Sequence, residues 1–234
     1  MYLPVYGLYG IDVGYYVVAL VALALGLVAE SLIKHTYARW SRVPAGIGGT
    51  GADVARRMLD SEGASQVCIG HASGFLSDHY DPRDNSLHLS ADNFSGGSVA
   101  SVAVACHEAG HAVQRSRGFA FYRLRCALVP VVNLAQSSWT IVLLGGVLLN
   151  LAGLVRLAIA LFAFSVLFNV VTLPVEIDAS RRGLAFLRDN GCQVDERGAR
   201  QVLVAAALTY VAAALSSLLQ LLYLVSRYGG RSDD

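Results

Sequence analysis

His107-Glu108-Ala109-Gly110-His111 is a run whose residue types and spacing suit the chemistry of a zinc hydrolase. On a helix, two histidines four apart lie on one face, one turn apart, and can share a zinc ion. The glutamate after the first histidine then sits beside the open position of the metal, where it can take the proton of a zinc-bound water. Ser98 to Cys106 is rich in Ala and Val and contains no proline, which favours a helix leading into the run. Ala109, Gly110 and Ala112 keep the surface around the metal thin. The same pentapeptide met by chance would be a solvated helix face among polar neighbours. This one follows an apolar stretch in a chain with 6 histidines. It remains incomplete, because a catalytic zinc needs a third protein ligand and a fourth position open to water.

The elements that must position these residues are set by the membrane. Hydrophobic residues make up 55% of the 234 and charged residues 15%, with a mean hydropathy of +0.51. That composition lies outside the soluble range. Four segments approach the roughly 20 apolar residues a span requires: Tyr15–Ile33, Ala127–Leu149, Leu151–Pro174 and Val202–Val225. The second and third are separated only by Asn150, so a helical hairpin is expected. The second carries Asn133, Gln136, Ser137, Ser138 and Thr140, which should turn toward other helices or a wet cavity. Asn169 and Thr172 gather at the end of the third. The first 14 residues hold no Lys or Arg and no cleavage site stands out, so the first span reads as an uncleaved anchor.

Basic residues give the orientation. Ten lie between the first and second spans and five between the third and fourth, fifteen of the 18 Lys and Arg. Both loops are therefore expected on the cytoplasmic side, with both termini opposite. The formal net charge of +1 conceals this asymmetry.

The third ligand must come from the same membrane face. The second basic segment opens Val175-Glu176-Ile177-Asp178-Ala179-Ser180, directly after Pro174. Glu176 is expected to begin a helix there, and Ala179 to allow that helix to pack closely on the histidine helix. Glu176 is the expected ligand, although a carboxylate at a helix start is also favoured by the macrodipole alone. Asp178 points about 200° away on a helix and ranks behind it, with Asp81 the next alternative. Ser180, one turn past Glu176, can hydrogen-bond a ligating histidine from behind.

Three runs carry a family likeness: His107 to Gln114, Ser77-Asp78-His79-Tyr80-Asp81-Pro82-Arg83, and Thr172-Leu173-Pro174 through Arg182. With them the chain resembles the YugP-like neutral zinc metallopeptidases of bacterial membranes, from the first span to Thr209-Tyr210-Val211-Ala212-Ala213-Ala214. The resemblance implies a membrane-anchored, gluzincin-type zinc peptidase with His107, His111 and Glu176 as ligands and Glu108 as base. Ser180 stands where the broader gluzincin pattern has Asp.

Pro44–Arg125 is too polar for lipid. Gly46-Ile47-Gly48-Gly49-Thr50-Gly51 has a G-x-G-x-x-G spacing but no apolar strand before it. It reads instead as a helix start, with Thr50 as cap, Asp53 completing a capping box and Gly63 ending the helix. Gln66–Gly70 and Ser86–Ser90 alternate as strands, and Asp81–Asn85 between them is a turn signal. A small sheet with an edge for an extended peptide is expected. His79 and Tyr80 precede the turn and are candidates to stabilise an oxyanion. His35, His71 and His88 read as surface groups. Tyr37, Trp40, Phe119, Phe121 and Tyr122 read as interfacial anchors. Cys68, Cys106, Cys126 and Cys192 have no paired spacing and read as reduced thiols.

The chain is thus expected to be a mostly α integral membrane protein, with four transmembrane helices and a small α+β cytoplasmic metallopeptidase domain. Its expected parts are an anchor and juxtamembrane segment (1–43), a cytoplasmic domain (44–125), a helical hairpin (126–174), a ligand-bearing segment (175–201) and a last span with its tail (202–234). Expected partners are zinc, the lipid bilayer and a protein or peptide substrate, membrane-associated ones included, with neither nucleic acid nor nucleotide. The expected location is a bacterial-type inner membrane. Two other readings stand beside the endopeptidase. One is an intramembrane-cleaving metalloprotease, opposed by the shortness of the apolar run Val99–Cys106. The other is a non-catalytic scaffold stabilised by metal.

Overall fold

Backbone amides and carbonyls in lipid find no water, so an apolar chain there must satisfy them within itself as helix. Four helices of the computed structural model, which describes residues 13–190 and 196–229, meet that demand: α1 (Val13–Trp40), α5 (Ala120–Leu148), α6 (Ala152–Asp189) and α7 (Glu196–Tyr228). Each is long and apolar enough to cross a membrane, so the chain is a multi-pass membrane protein. They pack in series, α5 on α6, α6 on α7 and α7 on α1. The N-terminal arm up to residue 12, Cys192 and the end of the tail lie outside the described residues.

The hairpin turn between α5 and α6 matches expectation. Leu149–Leu151 suffice because Asn150 takes a left-handed conformation, φ 53°, which Asn tolerates better than most residues. The expected break after Pro174 is absent: α6 runs through it without interruption. Proline removes one helical hydrogen bond, but lipid offers the freed backbone no alternative, so the helix continues past it. Glu176 therefore lies inside a membrane helix that emerges from the bilayer, not at the start of a new one.

The remaining elements form a layer on these helices: α2 (Gly51–Ser61), β1 (Cys68–Ala72), β2 (His79–Asp81), β3 (Ser86–Ser90), α3 (Ala91–Ser95) and α4 (Val99–Ser116). Thr50 and Asp53 make the reciprocal capping box at the start of α2, and Gly63 follows its end at φ 73°. α4 is the centre of this layer, packed on α6, α2 and α7. Its Ala- and Val-rich face is buried, which ties the histidine run to the core.

The sheet holds both expected strands, the first displaced to Cys68–Ala72, but the turn between them plays a different part. β1 pairs with β3 in parallel, and the turn signal instead joins β3 to a short β2, which is antiparallel to it. His79 and Tyr80 are in that strand. Alternation identified both longer strands, but three residues are too few for β2 to show a period.

Two further expectations are corrected. Of the two settings expected for them, neighbouring helices or a wet cavity, Asn133, Gln136, Ser137 and Thr140 do not take the first, being exposed on α5. The cause is position: α5 is the edge of the series and only one of its faces meets α6. Tyr37, Trp40 and Tyr122 are buried, so they are core residues and not interfacial anchors. The Tyr37 hydroxyl donates to Asn93 Oδ1, and Trp40 Nε1 donates to Gln201 Oε1. Phe121 stays exposed.

Candidate metal centre

The histidine helix can reach the glutamate helix because both are stripped of bulk where they cross. A Cβ at Gly110 would stand 2.7 Å from the Ala179 carbonyl oxygen, and one at Gly183 would stand 3.1 Å from the Cys106 backbone. The small residues at 110, 179 and 183 thus bring α4 and α6 into backbone contact. His107 and His111, 9% and 7% exposed, face Glu176, 1% exposed.

The side-chain atoms converge. His107 Nε2 lies 3.2 Å and His111 Nε2 3.6 Å from Glu176 Oε2. Tetrahedral ligands about 2.1 Å from a zinc ion are separated by roughly 3.3–3.4 Å. The donor set fits the ion.

Hydrogen bonding makes the fit stricter. The Gln114 amide donates to the Val175 carbonyl at 2.7 Å and to Asp178 Oδ2 at 2.9 Å. Both partners are acceptors only, so the amide nitrogen must face them and Oε1 must face His111. That oxygen is 3.0 Å from His111 Nδ1, which therefore carries the proton. In neutral His111, Nε2 then offers a lone pair toward a carboxylate oxygen that lacks any donor. Two acceptors aimed at one another across 3.6 Å leave a place suited to a cation. A proton on the imidazole can fill the gap, and a metal ion displaces it. On the other histidine, Ser180 Oγ is 3.0 Å from His107 Nδ1, leaving Nε2 for the metal.

The second carboxylate oxygen of Glu176 accepts from Arg125 Nη1 at 3.1 Å. Asp178 is turned away, paired with Arg182 and bonded to Gln114. Asp81 is occupied by Arg83. His107, His111 and Glu176 are a group that could hold a metal ion, their ligand atoms within 4.8 Å of one another.

Glu108 lines the same cavity of about 530 Å³, with His111, Glu176, Arg125, Tyr122 and Tyr210. Desolvation pushes its carboxyl up to about 7, against the pull of His107 and with repulsion from Glu176 and Asp78 adding to the rise. A larger hollow, about 820 Å³ between the end of α1 and the start of α4, carries no comparable ligand set.

The hairpin forms one wall. Arg115, near the end of α4, donates to the Tyr80 hydroxyl, the Pro82 carbonyl and Asn85 Oδ1, fixing the strands over the cavity. Tyr80 gives its own proton to Asn85 Oδ1. Asp78 accepts from the Ser90 backbone and from Asn93, anchoring the approach to β2. His79 stands at the rim, its Nδ1 2.8 Å from the Ser77 carbonyl.

Sequence reasoning did not find the parts played by Gln114, Arg125 and Tyr210. Gln114 had a legible signal, since it lies seven residues after His107 and shares the face of both histidines. Arg125 and Tyr210 had none, because only the helix crossings bring them to Glu176. If Gln114 sets the tautomer of His111, Gln114→Ala should lower zinc affinity about 10–100-fold with the fold retained. Competition with a chromophoric chelator reads this directly, and unchanged affinity would show that the amide is merely structural.

Comparison with known proteins agrees with this geometry. Residues 15–229 match the family described as "Putative neutral zinc metallopeptidase". The chain is also 41% identical over 220 residues to the "Putative membrane protease YugP" of Bacillus subtilis (strain 168), covering 91% of this chain and 96% of that protein. No solved structure matches. The cofactor is accordingly zinc. On a match that spans all four long helices and both helices of the candidate metal group, the chain belongs to this family of neutral zinc metallopeptidases.

Proposed function

We propose that the protein is a membrane-anchored zinc endopeptidase whose site lies at the cytoplasmic membrane face of a bacterial-type inner membrane. The observation that carries the reading is the convergence of His107 Nε2, His111 Nε2 and Glu176 Oε2 beside Glu108, on the lining of a cavity of about 530 Å³. Zinc supplies Lewis acidity to a carbonyl and to water. Glu108 accepts the proton of the attacking water at its carboxylate and passes it to the nitrogen of the leaving amine. In the metal-free chain desolvation holds that carboxyl well above its ordinary value, and bound zinc would draw it back toward the carboxylate form that accepts the proton. Gln114 and Ser180 hold the imidazoles in register, and Arg125 holds the Glu176 carboxylate.

His79 is the better placed of the two oxyanion candidates. Its ring is at the rim with Nε2 uncommitted, and that nitrogen donates once the imidazole is protonated. The Tyr80 proton is engaged by Asn85, so Tyr80 serves the wall. A non-catalytic scaffold would have no use for a desolvated carboxylate beside the ligands. The decisive experiment is isolation of Glu108→Gln protein from membranes with its bound polypeptides, followed by incubation of those polypeptides with the wild type. Cleavage by the wild type alone supports the reading, and polypeptides left intact by both count against it.

The sidedness rests on the arginines and lysine of the two loops between spans. A thiol placed at Leu149, in the hairpin turn, should react with an impermeant maleimide added to intact cells. A thiol at Arg83 should react only after lysis. The reversed pattern would put the metal on the outer face.

A further inference from the structure

The face of α5 that lines the cavity continues down the helix as a polar stripe. At about 100° per residue, Cys126, Val129, Pro130, Asn133, Ser137 and Thr140 share one side, with Gln136 on its flank. The first three line the cavity. The polar four are exposed, while Val132 and Ala135, on the side packed against α6, are buried. Trp139 on that side stacks on Phe162 of α6, ring centroids 4.5 Å apart. From Pro130 to Thr140 the stripe covers about 15 Å, half the hydrocarbon thickness. Beyond it the same face turns apolar, with Leu144, Val147 and Leu148 exposed.

Exposed carboxamides at this depth are costly and call for a partner. Ser137 turns its hydroxyl to the Leu134 carbonyl of its own helix. Asn133 and Gln136 each carry two donors and an acceptor that no lipid tail can meet. A stretch of polypeptide drawn out of its helix inside the bilayer has the complementary need, because its amides and carbonyls lose their internal partners. An extended backbone is also the form in which a peptide bond must reach a metal site.

We propose that this stripe is the docking track for a membrane-inserted segment of the substrate. Its loosened backbone pairs with Asn133 and Gln136, and its emerging end passes Val129 and Pro130 into the cavity. The substrate class is then a polypeptide embedded in the bilayer and cut where it leaves it. A second copy of this chain seated on the stripe would close the mouth it leads to, which argues for the substrate as occupant. This rests on the peptidase reading.

The test uses full-length protein in liposomes and two probes. One is a single-span polypeptide with an unstructured extension on the active-site side, and the other is fluorescently labelled casein, which is soluble. In the Glu108→Gln background, a photo-cross-linking residue at Gln136 should capture the single-span probe, and one at Val131, exposed about 150° round the helix from the stripe, should not. The triple variant Asn133→Leu, Gln136→Leu, Thr140→Val should cut the single-span probe about tenfold more slowly than wild type, the scale of one or two polar pairs in a membrane. Its rate on casein should not change. Equal rates on the single-span probe, or capture from position 136 of only lipid or a second copy of the chain, would overturn the inference. Capture of the probe with neither probe cleaved by wild type would uphold the track and sink the peptidase reading.

Discussion

Glu176→Ala should reduce zinc affinity far beyond the ~10–100-fold expected for loss of an outer hydrogen-bond partner. On the proposed reading the carboxylate supplies one of three protein donors, and its removal also leaves the Arg125 guanidinium without the anion it faces. Asp178→Ala is the informative comparison. Asp178 touches Gln114 and Arg182 but neither histidine ring, so its loss acts through the Gln114 amide and should cost much less. Chelator competition on the purified chains separates the two. A Glu176→Ala protein that holds zinc as tightly as wild type would transfer the third-ligand role elsewhere, with Asp178 and then Asp81 next to be replaced.

Glu108→Gln should keep the metal and lose about 10²- to 10⁴-fold in turnover, the usual contribution of a positioned acid–base group. A second expectation follows from its desolvation. In the metal-free chain the folded Glu108 carboxyl titrates near 7, above its ordinary 4.5. The folded state then binds more protons than the unfolded state between those values. The stability owed to the neutral acid is complete below 4.5 and is lost as pH rises through about 7. Metal-free Glu108→Gln protein should therefore melt at a higher temperature than metal-free wild type at pH above about 7, with the gap closing toward pH 4.5. A gap independent of pH would show that the carboxyl does not carry this desolvation cost.

What the sequence disclosed, it disclosed through period and spacing. Four apolar runs have one stable form in lipid, so their helices and the Asn150 turn were legible from composition alone. The His107–His111 spacing carries its own geometry on any helix. Glu176 was legible as a candidate third ligand only once the expected topology had restricted the search to one membrane face, and the structure places it beside both histidines. Local signals misled where burial overrode them. Pro174 looked like a boundary, yet lipid keeps its helix whole. Tyr37 and Trp40 looked like interfacial aromatics beside basic residues, yet Asn93 of the layer above meets the first and Gly198 and Gln201 of α7 cover the second. The exposed polar residues of α5 were flagged as needing a partner, and nothing in a linear chain shows that α5 would lie at the edge of its series. Arg125 and Tyr210 meet Glu176 across 51 and 34 residues of chain, and no pattern in the sequence records such a meeting.

The unbroken α6 makes the bilayer a measuring device. The helix is 38 residues long, about 57 Å of rigid rod, and Glu176 stands only about 3 Å of helical rise beyond Pro174. Gly110 and Ala179 lock α4 to that rod, so His107, His111 and Glu176 travel with it as one block. When the membrane thins or thickens, spans tilt to match it, and the centre rises or sinks as a unit with its geometry intact. On the peptidase reading, the bond that is cut is then chosen by counting residues from the lipid surface, with little regard to the side chains on either side. Lipid composition would shift the cut along a polypeptide while leaving the reaction itself untouched.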